Sequence, residues 1–80
     1  MPVHSHRETV LRRRAAAIEK RRMELGVGVA ALAAAAEIDL SQMVKVLRGR
    51  CGLSIDSLGR VAKVLGTSTD ALTGASNRAA

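Results

Sequence analysis

The chain has no Phe, Tyr or Trp among its 80 residues, and this absence narrows the folds that it can adopt. Aromatic side chains bury the largest areas in most protein cores, so this core must be built from Leu, Ile, Val, Met and Ala. A single domain of this length buries only about 60 to 65% of its unfolded surface. A thin core of small side chains therefore needs closely packed helices, a cross-link or a partner chain.

Composition excludes several classes of protein. Cys51 is the single cysteine, so the chain forms no internal disulfide and no cysteine metal site. No apolar run reaches the roughly 18 residues of a membrane span, and no apolar stretch follows the charged N-terminus as in a signal peptide. We therefore expect a cytoplasmic protein. The net charge of +6 predicts an anionic partner, and the missing aromatic rings argue against single-stranded nucleic acid, whose bases stack on such rings.

Most of the positive charge lies in residues 1–22, which carry seven basic residues and two acidic ones. Three of the basic residues, Arg12, Arg13 and Arg14, are consecutive. They fan over about 200° of a helix, so they cannot all face one row of phosphates. Two interpretations stay open for them, a solvated helix face or a contact with the DNA backbone or minor groove.

Capping residues and apolar periodicity predict an all-α fold with five helices. The predicted helices run from near His6 to Leu25, from Val29 to Ala36, from the Asp39 cap to Arg48, from the Ser54 cap to Leu65, and from the Ser68 cap to Leu72. The expected core positions include Leu11, Ala15, Ile18 and Leu25 in the first helix, and Ile55, Leu58, Val61, Ala62 and Leu65 in the fourth. Residues 1–7 are predicted to be a flexible arm, 8–74 the helical domain and 75–80 a short tail.

The second and third helices are separated by only a few residues around Glu37 to Asp39, and small side chains fill the second. This combination is typical of a helix-turn-helix, in which the second helix of the pair enters the major groove of DNA. Met43, Val46 and Leu47 are predicted to face inward on that helix. Close packing of the alanine run inside the domain is favoured over a homodimer seam.

An ordered set of residues extends this interpretation over about residues 18 to 74 without a gap. The set comprises residues 18–26, then Leu32, Ala33, Ala36, Ile38, Met43, Val46, Gly49, Leu58, Ala62, Lys63, Leu65, Gly66, Ser68, Asp70 and Leu72. In this order the residues resemble the lambda-repressor/Cro-like (XRE) family of DNA-binding domains. The resemblance implies a five-helix, lambda-repressor-like domain that binds a specific double-stranded DNA site, usually as a twofold dimer on a near-palindromic operator.

The resemblance also assigns residues to the DNA. It implies base contacts by Leu40, Ser41, Gln42, Val44 and Lys45, and backbone contacts by Gly28, Val29, Arg48, Arg50 and Arg22. Two positions depart from the family pattern: Gly28 and Val29 stand where the family usually has a Ser or Thr cap followed by Gln, so those side-chain hydrogen bonds are lost. Backbone N–H groups of the helix end can still hold a phosphate. Leu40, often polar in the family, would contact a thymine methyl group.

We expect a transcriptional regulator, most simply a phage or prophage Cro-like protein or a short repressor associated with the nucleoid. The chain has no room for a separate dimerisation domain, so the fifth helix is the expected dimer interface, through Thr69, Leu72 and Thr73. The alternatives are an antitoxin or another protein-interaction adaptor of the same fold, and a non-specific nucleoid-type DNA binder.

The sequence has few residues that could carry out catalysis. A nucleophile with its base would need a histidine or paired acids in the folded part, and both histidines, His4 and His6, are expected in the arm. They lack a third metal ligand, and Cys51 is interpreted as an incidental thiol rather than a redox sensor. We therefore expect no enzyme, no metal, no cofactor and no small-molecule ligand.

Overall fold

The computed structural model describes residues 6–73, and over this range the chain is all-α, as predicted. Its five helices are α1 (His6–Leu25), α2 (Val29–Ala35), α3 (Leu40–Leu47), α4 (Ile55–Val64) and α5 (Thr69–Thr73). His6 and Arg7 belong to α1, two residues before the predicted start of the domain. The rest of the predicted arm and the tail from residue 75 lie outside the described residues. No helix within the described range is long and apolar enough to cross a membrane.

Local capping explains where most of these helices begin and end. The Asp39 carboxylate accepts the backbone N–H of Ser41 at the start of α3, and the Ser54 hydroxyl accepts that of Ser57 at the start of α4. Gly26 follows α1 in the left-handed conformation, with φ at +69°, where an L side chain would be strained. The predicted caps at these three positions are therefore confirmed.

The turn after α2 has the hydrogen bonds of a Schellman motif, in which two N–H groups bond back to the last turn of the helix. The N–H of Glu37 donates to the carbonyl of Ala34, and that of Ile38 donates to the carbonyl of Ala33. Glu37 is left-handed with φ at 58°, at a position where glycine is the usual residue. The motif reverses the chain and places the buried side chain of Ile38 against the core.

The core lies where α1 packs on α3 and α5, α2 packs on α3 and α4, and α4 packs on α5. Its fully buried members include Ile18, Leu32, Met43, Val61 and Leu65. The alanine faces of α2 allow this close packing: Ala33 and Ala36 are buried beside Leu32. The prediction of a core free of aromatic rings and filled by closely packed helices is confirmed.

Two predicted core residues are instead exposed. Leu25, the last residue of α1, is 45% exposed, and Ile55, the first residue of α4, is 85% exposed. Both have the correct helical spacing, but each stands at a helix end that no neighbouring helix covers. Val27, just beyond α1, packs against the core at that end of the helix.

Candidate nucleic-acid interface

Helix α3 has one buried side and one exposed side. Met43 and Val46 are buried, and Leu47 packs partly against the core. On the opposite side, the residues predicted to contact bases lie together: Leu40, Ser41, Gln42 and Lys45 are exposed, and Val44 is half-buried. Leu40 keeps 48% of its surface exposed. The exposed side therefore combines an apolar group with an amide and an ammonium.

The Ser41 hydroxyl is not free to turn towards a ligand. Its Oγ donates a hydrogen bond to the Asp39 carboxylate, which also accepts the Ser41 backbone N–H. This arrangement fixes the start of α3 and uses the hydroxyl proton. Ser41 thus offers only acceptor lone pairs to a partner, and the donors of the exposed side are Gln42 and Lys45.

The same contacts affect the ionisation of Asp39. The hydrogen bond from the Ser41 hydroxyl, followed by that from the Ser41 N–H, lowers the pKa of Asp39 below its ordinary value of 3.8. A lowered pKa in the folded state contributes stability that is complete above the unfolded pKa and is lost as the pH drops through the folded value. We expect Asp39→Asn, which keeps a capping residue without a titratable group, to lack this part of the pH dependence.

Unfolding midpoints of the native chain and Asp39→Asn, measured from about pH 7 down to about pH 2, test this expectation. The advantage of the native chain should shrink at the acid end. A difference that stays constant over the whole series would contradict it.

The residues predicted to contact the DNA backbone lie in different parts of the structure. Gly28 and Val29 lie at the start of α2, where Gly28 has an extended backbone and provides no side-chain cap. Arg48 and Arg50 are exposed at the end of α3 and in the loop that follows it, with Gly49 between them. Gly28, Arg48 and Arg50 are exposed, whereas Val29 is half-buried and packs against the core.

Arg22, also predicted to contact the DNA backbone, has partners within the chain. Its Nε donates to the Glu19 carboxylate over 2.6 Å, and its NH1 donates to the carbonyl of Val27 over 2.9 Å. The side chain is only 17% exposed, and the hydrogen bond with Glu19 raises the pKa of Arg22 above its ordinary value. Arg22 therefore ties α1 to the segment before α2, and its Nε and NH1 donate within the chain.

Leu72 corrects the predicted dimer interface. It is 3% exposed and packs in the core of its own chain, where α5 meets α1 and α4. A side chain buried in this way cannot also form a seam with a second copy. Thr69 and Thr73, the other two predicted interface residues, remain half-exposed.

Arg60 was not identified from the sequence, although it supports the turn between α2 and α3. Its Nε donates to the carbonyl of Ala36 over 2.7 Å, and its NH2 donates to the Ser57 hydroxyl over 3.1 Å. The first bond joins α4 to the end of α2 across 24 positions in the sequence. No local pattern signals such a contact, because it depends on how α4 crosses α2.

The His, Cys, Asp and Glu side chains of residues 6–73 do not cluster. No group of three or more His, Cys, Asp or Glu side chains there could hold a metal ion. Cys51 is a half-buried free thiol.

Comparison with known proteins gives a likeness to part of an enzyme. No protein-family model and no curated protein matches the chain. The crystal structure of apo-HppE matches 80% of the chain with 34% identity and a TM-score of 0.72. FeII HppE in complex with substrate matches 78% of the chain with 35% identity and a TM-score of 0.70. The match covers 36% of each HppE chain, so this chain spans about a third of the structures that it resembles.

These matches correct one expectation. The sequence was interpreted as that of a protein that is not an enzyme, but the structures that it matches, with 34% identity over 80% of the chain and 35% over 78%, are those of a protein that holds FeII and a substrate. The missing catalytic residues were a weak argument, because a helical part of an enzyme can lack them. What the comparisons establish is a fold shared with part of HppE over 80% of this chain.

Proposed function

We propose that this chain is a helix-turn-helix domain of the lambda-repressor-like kind and that it binds a specific double-stranded DNA site as a transcriptional regulator. One observation carries this proposal: α3, held by its buried side against the core, exposes a side with Leu40, Gln42 and Lys45 at the end of a four-residue turn from α2. An α-helix exposed in this way fits the major groove. The net charge of +6 supports an anionic partner.

The chemistry of the exposed side suggests what each residue reads. A Gln amide forms paired hydrogen bonds with adenine, a Lys ammonium donates to guanine, and an apolar side chain packs on the thymine methyl group. Gln42, Lys45 and Leu40 supply one group of each kind. With two direct hydrogen-bonding readers and one apolar contact, one copy of the chain distinguishes few base pairs, and a twofold dimer would double the number.

Selection of bound sequences from a random duplex pool at physiological salt tests this function. A recurring motif supports a specific regulator, and a symmetric motif supports a dimer whose half-sites lie about 34 Å apart. Binding of all duplexes with similar affinity would favour a non-specific nucleoid-type protein. No duplex binding would reject the proposal and favour a protein-interaction adaptor such as an antitoxin.

Lys45→Ala is expected to relax discrimination at one base pair by about 1 to 3 kcal/mol while the other positions of the motif keep their preference. Gln42→Ala should do the same at a neighbouring base pair. Affinities for a panel of single-site duplex variants measure both effects. An equal loss of affinity on every duplex would show that the residue contacts only the backbone.

A dimer on near-palindromic DNA is part of the proposal, and its interface must differ from the predicted one. Because Leu72 is buried in its own chain, Thr69 and Thr73 are the members of the predicted set that a second copy could touch. The mass of the complex on a full operator and on a half-operator measures the number of chains bound. One chain per full operator would exclude the dimer.

The likeness to HppE favours a second candidate, a helical part of an iron-dependent enzyme. The supporting observation is the 34% identity over 80% of the chain. The residues described here do not fit an iron site, so such an enzyme would need ligands from elsewhere. Calorimetric titration of the chain with FeII under anaerobic conditions, beside the duplex selection, compares the two candidates: stoichiometric iron binding would show that residues outside the described range supply ligands and would favour the enzyme.

A further inference from the structure

Helix α1 touches the backbone at the end of α3. A Cβ atom added to Gly49 would lie 3.0 Å from Cγ of Arg12 and 3.4 Å from its Cα, so α1 lies directly against the backbone at Gly49. The Arg12 side chain is itself 60% exposed. Arg48 and Arg50 flank Gly49 and are also exposed. Arg12 of α1 therefore lies beside the segment that carries Arg48 and Arg50; we call these three arginines the arginine cluster.

The positive charge of the arginine cluster favours an anionic partner. The Glu8 carboxylate lies 3.9 Å from NH2 of Arg12, but both side chains are largely exposed, and such pairs contribute little. The carbonyl groups at the C-terminal end of α3 carry partial negative charge. A phosphate can approach that end only where cationic side chains outweigh it, and the cluster places three of them there.

The neighbouring arginines of α1 do not share this position. Arg14 lines a cleft of about 560 Å³ between α1 and the loop at Gly52 and Leu53. Its Nε is buried and has no hydrogen-bond partner among the described residues. Since consecutive residues of a helix are about 100° apart, the side that carries Arg12 to Gly49 turns Arg14 away. The structure thus separates residues that the sequence presents as one basic run.

We propose that the arginine cluster binds the phosphate backbone of duplex DNA at the C-terminal end of α3, while the first half of α3 contacts the bases. This inference rests on the proposed function, which it extends by adding α1 to the DNA interface. It assigns Arg12 a phosphate contact across Gly49 and leaves Arg14 outside the interface. Glu8 then competes with the phosphate for Arg12.

The test uses charge-removing variants that keep the packing. Arg12→Gln retains the Cβ and Cγ atoms that lie against Gly49 and loses only the guanidinium. Duplex affinity is measured between about 50 and 200 mM salt, and each lost phosphate contact should reduce the slope of log affinity against log salt by about 0.9. Lys20→Gln, which removes the same charge from an exposed position on α1, should leave the slope near that of the native chain.

A second pair of variants is designed to strengthen duplex binding rather than to weaken it. Glu8→Gln removes the competing carboxylate and should tighten duplex binding several-fold at low salt. Glu24→Gln is the matched control, because Glu24 pairs with Arg21 near the other end of α1. It removes an equal negative charge away from the cluster and should have a smaller effect.

The outcomes distinguish a failure of the arginine-cluster proposal from a failure of the proposed function on which it rests. Suppose that the native chain binds duplex DNA and that Arg12→Gln has the same slope of log affinity against log salt. The proposed phosphate binding by the arginine cluster is then wrong, and the proposed function stands. Equal changes in Arg12→Gln and Lys20→Gln, or in Glu8→Gln and Glu24→Gln, would show an effect of net charge alone and also overturn the cluster. If the native chain binds no duplex at any salt concentration, the proposed function itself fails. Thermal melting of each variant verifies that it remains folded.

Discussion

Leu32→Ala is expected to lower the free energy of unfolding by about 2 to 5 kcal/mol, the largest loss among the substitutions considered. Leu32 is fully buried and is the one large side chain that α2 places wholly in the core, where it meets α3 and α4. Its neighbours Ala33 and Ala36 are too small to fill the cavity. A domain of this size has a total stability of only about 4 to 12 kcal/mol, so the variant should lose a large part of it.

Chemical denaturation followed by helical circular dichroism measures this loss. Leu32→Met is the matched control, since a volume-conserving exchange costs less than about 1.5 kcal/mol. The two variants should differ clearly in their unfolding midpoints. If Leu32→Ala unfolds at the same denaturant concentration as Leu32→Met, α2 does not depend on this contact.

Gly49→Ala is expected to destabilise the chain by about 2 to 4 kcal/mol, through two separate costs. Gly49 has φ at +74°, a conformation that strains an L residue. In addition, its new methyl group would meet Arg12 at 3.0 Å and the backbone of α1 at 3.4 Å. The Arg12 side chain must therefore shift by a few tenths of an ångström, and this displacement beside α3 is the second cost.

Gly26→Ala separates these two costs. Gly26 has nearly the same left-handed backbone, with φ at +69°, but a Cβ there would meet nothing within 4 Å. It should therefore lose only the conformational part, about 1 to 2 kcal/mol. Unfolding midpoints of both variants give the contact cost as their difference, and equal midpoints would show that the approach of α1 to Gly49 does not matter.

Features that depend on a few neighbouring residues were predictable. The caps at Asp39 and Ser54 and the left-handed stop at Gly26 agree with the structure because each involves one side chain or one φ angle and the adjacent backbone. The inward face of α3 was also predictable, because helical periodicity fixes which side chains share a face. The exposed side from Leu40 to Lys45 follows as the complement of the buried Met43 and Val46.

Predictions were wrong where the exposure of a side chain depends on helices that are distant in the sequence. Ile55 has the helical spacing of a core residue, but it lies beyond the edge of the core and is 85% exposed. Leu72 was expected to need a partner copy, yet α1 and α4 cover it. In each case the sequence specifies the side chain and its helix, and the packing of other helices decides its surroundings.

The sequence by itself determined an all-α chain of five helices, their approximate ends, a core without aromatic rings and a basic charge concentrated near the N-terminus. Only the tertiary structure decided which charges are accessible and which lie together. Arg12 reaches Gly49, Arg60 reaches Ala36 and Arg21 reaches the carbonyl of Leu65. Helix formation is governed by interactions over three or four residues, whereas these contacts join segments brought together only by packing, so no local pattern encodes them.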